Sequence, residues 1–132
     1  MKTFLLTIHD AAHTQTIEDI VSFTGEDLSG SFGILAGRER FITCLSFGMA
    51  RVHTSAGQVL YLAMPGGVLY FVNNNLMIST RHFVVGDNFD HIQKILQQDI
   101  LEEEIQLKTL KKSFHTMENE LLKRLLRTGQ PL

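Results

Sequence analysis

Six histidines and one cysteine are the residues of this chain best able to do chemistry, and their spacing assembles no site. His9, His13, His53, His82, His91 and His115 are scattered, with no helical His-Glu-x-x-His pair to grip a metal. His9 and His13 stand four apart, but one lies in a strand-like run and the other in a loop, so the interval has no helical meaning. Cys44 falls in the apolar run Phe41 to Leu45 and is expected to be a buried, inert thiol. As a single cysteine it can form neither an internal disulfide nor a thiolate cluster. Asp10, Glu18, Asp19, Glu26 and Asp27 sit at strand ends or turns, where solvation accounts for them. Gly30, Gly33 and Gly37 lack a following Lys-Ser/Thr and a following helix, so they read as a turn and not as a phosphate cradle. No nucleophile elbow or dinucleotide fingerprint appears. The residues point to a binding or regulatory subunit, not an enzyme, with no metal and no cofactor.

Those residues must be held by one ordinary domain or a small domain with an appendage, since the chain has 132 residues. With 44% hydrophobic and 20% charged residues a packed core is possible. The formal charge of -2 excludes the strongly basic footprint of a nucleic-acid binder. No apolar run reaches the roughly 18 residues of a membrane span, and the N-terminus lacks a signal-peptide layout, so no direct membrane insertion is expected.

Glycine draws the internal boundary. Nine of the ten glycines fall from Gly25 to Gly86, whereas Asp87 to Thr128 contains neither Gly nor Pro. The expected division is therefore 1–86 in strands and 87–132 in helix. Phe4, Leu6 and Ile8 alternate as in a half-buried strand, and further runs follow at Ile17 to Thr24, Arg40 to Leu45, Gly48 to Thr54, Gln58 to Met64, Val68 to Val72, Leu76 to Thr80 and His82 to Val85. Eight or more short strands with no helix between them indicate an antiparallel sandwich or barrel, without the long crossovers that parallel pairs need.

In the helical part, Asp87 or Asn88 can cap the start, and Phe89, Ile92 and Leu96 line one face. Leu107, Leu110, Phe114, Met117 and Leu121 form a second, heptad-like stripe. The stripes fall out of register across Leu101 to Gln106, which predicts two helices folded as a hairpin, with one long bent helix as the competitor. Asp99 and Glu102 to Glu104 are acidic; Lys108, Lys111, Lys112, Lys123, Arg124 and Arg127 are basic and lie C-terminally. Helix-dipole complementation on a solvated face explains this, and so does docking on an acidic partner surface.

The segment Gly30-Ser31-Phe32-Gly33-Ile34-Leu35-Ala36-Gly37-Arg38, continued by Phe41-Ile42-Thr43, resembles the signature loop of the F-type ATP synthase epsilon subunits, Gly-Glu-Leu-Gly-Ile-Leu-Pro-Gly-His. Val21 to Gly25, Leu45 to Met49 and Tyr61 to Leu69 are similar to that family's flanking elements, in the same order. The resemblance implies a ten-stranded, two-sheet antiparallel sandwich followed by a C-terminal α-helical hairpin. It implies a non-catalytic regulatory and coupling subunit that binds the gamma stalk, rests on the c-ring and restrains ATP hydrolysis through its helices. The implied ring-contact loop is Ser31, Arg38, Arg40 and Phe41, more basic than usual because Ser31 and Arg38 replace an acid and a histidine. The implied inhibitory face is Lys108, Lys111, Lys112, Lys123, Arg124 and Arg127, directed at the catalytic beta subunits. Of the family's nucleotide-sensing motif only Asp90 keeps a polar match, with Gln93 where an Arg would meet phosphate. Pro65 before Gly66-Gly67, together with the short tail, is similar to an alternative bacterial branch, some of whose members move sodium. The implied location is peripheral, on the cytoplasmic face of the bacterial inner membrane. Two other readings remain on the residues alone: a free-standing sandwich that homo-oligomerises through Leu107 to Leu125, and a small enzyme using Cys44 or a histidine.

Overall fold

The computed structural model describes residues 2–128, with side chains through Leu126. Nine strands come first: β1 (Phe4–His9), β2 (Thr14–Asp27), β3 (Gly30–Leu35), β4 (Phe41–Leu45), β5 (Gly48–Thr54), β6 (Val59–Met64), β7 (Gly67–Val72), β8 (Asn75–Ser79) and β9 (Val84–Gly86). Helix α1 (Phe89–Ile95), a π-helical turn (Leu96–Ile100) and helix α2 (Leu101–Thr128) follow. By packing, the chain divides into a compact unit ending at Leu101 and a second beginning at Glu102.

The sandwich hangs on β2. The strand order is β1-β8-β7-β4-β2-β5-β6-β9, and β2 also pairs with β1 and β3, so one long strand serves both layers. Its early residues pair with β1 and its later ones with β5 and β3. Between the Leu6–Ile17 and Phe4–Ile20 pairs, Leu5 alone opposes Glu18 and Asp19. Asp19 takes the left-handed conformation at φ 56° in this bulge. A bulge of this kind bends a strand and sharpens its twist, which is what lets β2 pass from one layer to the other. Phe4, Leu6, Ile20, Phe23, Ile34, Val52, Leu62, Leu69, Phe71, Leu76 and Ile78 fill the space between the layers.

Three expectations need correcting. The sandwich is not wholly antiparallel: β1 and β8 pair in parallel, with Leu6 beside Leu76 and Ile8 beside Ile78, all buried. Six strands separate them in sequence, so the chain has ample length for the return that a parallel pair demands. Second, Gly30 to Leu35 is a strand, and the turn comes after it at Gly37 (φ 84°). Glycine also makes room here, because a Cβ on Gly25 would stand 2.9 Å from the Phe23 ring and 3.2 Å from that of Phe32, its cross-strand neighbour. Third, no hairpin interrupts the helix. Ile95 and Leu101 have right-handed helical dihedrals, and the backbone stays helical from Phe89 to Thr128.

The π turn explains the lost register. Asn88 caps α1, its side-chain oxygen accepting the His91 amide at 3.1 Å. Ile92, Leu96 and Ile100 are then buried against Ala63, with Tyr61, Met49 and Val84 around them. Met49 and Val84 flank Ala63 in the sheet register, so the outer face of β5-β6-β9 is the floor under this helical segment. Residues four apart drift around an α-helix of about 3.6 residues per turn. A π turn, closed here by the Leu101 amide on the Leu96 carbonyl, holds more residues per turn and keeps the three on one line. The stripe changes phase once that line ends.

Candidate functional site

Two ends of β3 carry the four residues expected to touch a ring. Ser31 is exposed and pairs with Glu26 near the β2–β3 hairpin tip. Arg38, Arg40 and Phe41 lie beyond the opposite end, so the structure does not gather the four side by side. Arg38 reaches back, however. Its Nη1 donates to the Gly33 carbonyl at 2.9 Å, and its guanidinium lies 4.4 Å from the centre of the Phe41 ring. Phe41 is half-buried and packs on Phe32 with centroids 5.4 Å apart. A cation over an aromatic face is attracted by the ring quadrupole, so Arg38 is pinned along β3 and not free in a loop. Arg40 is exposed, and the preceding turn is tied down by the Gly37 amide on the Asn74 side-chain oxygen at 2.7 Å.

The hairpin tip is braced by Asp27. One carboxylate oxygen accepts the Ser29 amide and hydroxyl, and the other accepts the Thr43 hydroxyl at 2.7 Å. The Ser29 hydroxyl first, then that of Thr43, holds the Asp27 carboxyl below its usual range, because both favour the charged form. Held on this tip, Leu28 is fully exposed.

A larger surface was missed by the sequence reading. Phe41, Thr43 and Leu45 of β4 face inward, which turns Ile42 and Cys44 outward. The register sets Ile42 beside Tyr70, and Tyr70 beside Met77; Cys44 stands beside Val68. Ile42 is 64%, Val68 47% and Met77 41% exposed. Cys44 is thus exposed among apolar neighbours, correcting the buried thiol expected from its run. The signal was present in the sequence: Val68 to Val72 is apolar at every position, and a strand apolar on both faces is one whose faces are both meant to be covered.

On α2, Lys108, Lys111, Lys112 and Lys123 are exposed; Lys108, Lys112 and Lys123 fall within an arc of about 60° opposite the apolar stripe, and Lys111 lies on one flank of it. Arg124 is exposed nearer the stripe's margin, and the side chain of Arg127 lies outside the described residues. Asp90 is exposed in the first turn of α1, where an acid complements the helix dipole. Among the described residues no group of three His, Cys, Asp or Glu is placed to hold a metal ion.

Residues 3–86 match the family described as ATP synthase, Delta/Epsilon chain, beta-sandwich domain. Over 82 residues the chain is 29% identical to the ATP synthase epsilon chain 2 of Cereibacter sphaeroides, a match covering 61% of this chain and 56% of that one. The matched region thus spans little more than half the length of that curated relative. A chain in the Euglena gracilis mitochondrial ATP synthase (OSCP/F1/c-ring, rotational state 1) superposes with a TM-score of 0.60 at 21% identity, covering 69% of this chain and 58% of that one. A chain of the Tetrahymena thermophila mitochondrial ATP synthase central stalk and c-ring gives a TM-score of 0.53 at 12% identity, covering 63% and 66%. At these identities the structural likeness is one of fold.

Proposed function

This chain belongs to the ATP synthase delta/epsilon family, its residues 3–86 forming that family's β-sandwich domain, and we propose that it is a non-catalytic coupling and regulatory subunit of the rotary synthase. The observation that carries this reading is the exposed apolar outer face of β4, β7 and β8. Ile42, Val68, Tyr70 and Met77 make a contiguous patch of the kind that marks a protein-binding surface. On that face the gamma subunit of the stalk would sit. Arg38, Arg40 and Phe41, with Ser31 at the far end of β3, would meet the polar loops of the c-ring. The functional division is taken at 86/87, the sandwich coupling and the helical part regulating. Among the described residues no helix is long and apolar enough to cross a membrane, and a peripheral seat on the cytoplasmic face of a bacterial inner membrane agrees with that.

Regulation needs only a differential affinity. A helix that binds one rotary state better than the other shifts the populations by that difference, and a few kcal/mol suffices for a strong bias. Lys108, Lys111, Lys112, Lys123, Arg124 and Arg127 would supply it by docking on acidic surfaces of the catalytic beta subunits. Asp90 is left as a helix-dipole residue, not a nucleotide ligand.

Affinity purification of the assembled complex through the full chain tests this. The wild-type chain should carry gamma and the c-ring with it, and Ile42→Asp with Val68→Asp should lower gamma recovery at least tenfold. Equal recovery would remove the outer face as the interface. Replacing Lys108, Lys112 and Lys123 with Ala should raise ATP hydrolysis by the complex, and unchanged hydrolysis would remove the basic face as the inhibitory one.

A further inference from the structure

Along α2, Leu107, Leu110, Phe114, Met117 and Leu121 alternate three and four apart, the spacing of a coiled-coil seam. Leu107 is half-buried, and the other four are 52–64% exposed. Charge runs unevenly along the same helix. Glu102, Glu103 and Glu104 occupy its first turn, while Lys123 and Arg124 lie near its end. A helix acidic at its start and basic at its end complements a second copy of itself only when that copy runs the opposite way.

We infer that two copies of this chain pair antiparallel through α2, with the two-fold axis passing between His115 and Thr116. About that axis Phe114 of one copy meets Met117 of the other, and Leu110 meets Leu121, so the central layers of the seam are all apolar. Lys111 and Glu118 share one flank of the stripe, seven residues and hence two turns apart. Antiparallel pairing sets each against its opposite on the other copy, giving two ion pairs. About the same axis Arg124 of one copy lies against Leu107 of the other, with Glu104 about one turn beyond it, so the acidic end of each helix runs toward the basic end of its partner. A parallel pair has none of this. It would stack Glu103 on Glu103 and Arg124 on Arg124 at seam positions, and it would set Lys111 opposite Gln106. The area that a lone amphipathic helix leaves to water is covered by its own copy, which is the usual remedy for a helix that cannot bury its stripe alone.

This pairing does not rest on the synthase reading. It describes the free subunit, and in that state the apolar stripe of the arm is covered by the second chain. Sedimentation equilibrium of the full chain, from about 1 μM to about 1 mM, covers the range of dissociation constants at issue. The average mass should climb toward two chains. Lys111→Glu and Glu118→Lys each turn two attractive contacts into two repulsive ones and should each weaken the dimer about tenfold. Combined in one chain, the two changes restore opposite charges and should restore the dimer. Phe114→Asp should abolish it. A monomer at every concentration overturns the inference, as does a dimer indifferent to the two single changes. A double variant no tighter than either single one places the contact elsewhere and overturns it too.

Discussion

Ile92, Leu96 and Ile100 are 1%, 6% and 1% exposed, while Leu110, Phe114 and Met117 of the same helical run are 52%, 58% and 64% exposed. Both sets are apolar, both keep helical spacing, and only about ten residues separate their ends. The first set has a floor supplied by Ala63, Tyr61, Met49 and Val84 on β5-β6-β9. The second set lies in a separate compact unit whose stripe is largely exposed. Periodicity therefore says which side of a helix is apolar, and something else says what covers it. The change comes at the π turn, where helices of this kind often carry a functional irregularity.

Truncation is the sharpest way to break this contrast. Ile92→Ala removes a fully buried side chain from a packed site and should cost about 3 kcal/mol in urea denaturation of the full chain. A loss no greater than that of an exposed α2 residue would mean that α1 is not anchored as described. Gly25→Ala probes the sandwich itself. Its Cβ would press on the Phe23 and Phe32 rings, so a loss of about 1–3 kcal/mol is expected in the same measurement. A neutral result would show the aromatic pair yielding.

Acid sharpens the comparison at the hairpin tip. Because folding depresses the Asp27 pKa, the stability it contributes is present above its unfolded value and is lost as the pH falls through the folded one. Between about pH 5 and pH 2 the wild-type chain should therefore lose stability more steeply than Asp27→Asn. Parallel curves would mean the Ser29 and Thr43 contacts do not favour the ionised carboxylate. The smallest effect belongs to α2. Phe114→Ala in the monomer should change the denaturation midpoint by less than about 0.5 kcal/mol, since most of the ring is already in water. A loss as large as that of Ile92→Ala would show the stripe covered within one chain.

Much of the fold was legible. Alternation in Phe4, Leu6 and Ile8 predicted β1 with its inward face, and the absence of Gly and Pro from Asp87 to Thr128 predicted helix there. Asn88 did prove to be a cap. The candidate site was legible only in part. Arg38 and Phe41 could be singled out from the motif, but not the contact that folds Arg38 back over the ring and onto Gly33. Cys44 was misread because an apolar run does not state which of its two faces is covered.

Local interactions are written in the order of residues, so the sequence by itself determined where most strands and the helical stretch lie, the inward face of β1, and the cap at Asn88. Only the tertiary structure decided that β1 lies parallel to β8, that β2 serves two layers through the bulge at Glu18 and Asp19, and that a π turn keeps Ile92, Leu96 and Ile100 in line. Each of these depends on a surface assembled from residues far apart in the chain, whose shape exists only once the sheet has closed.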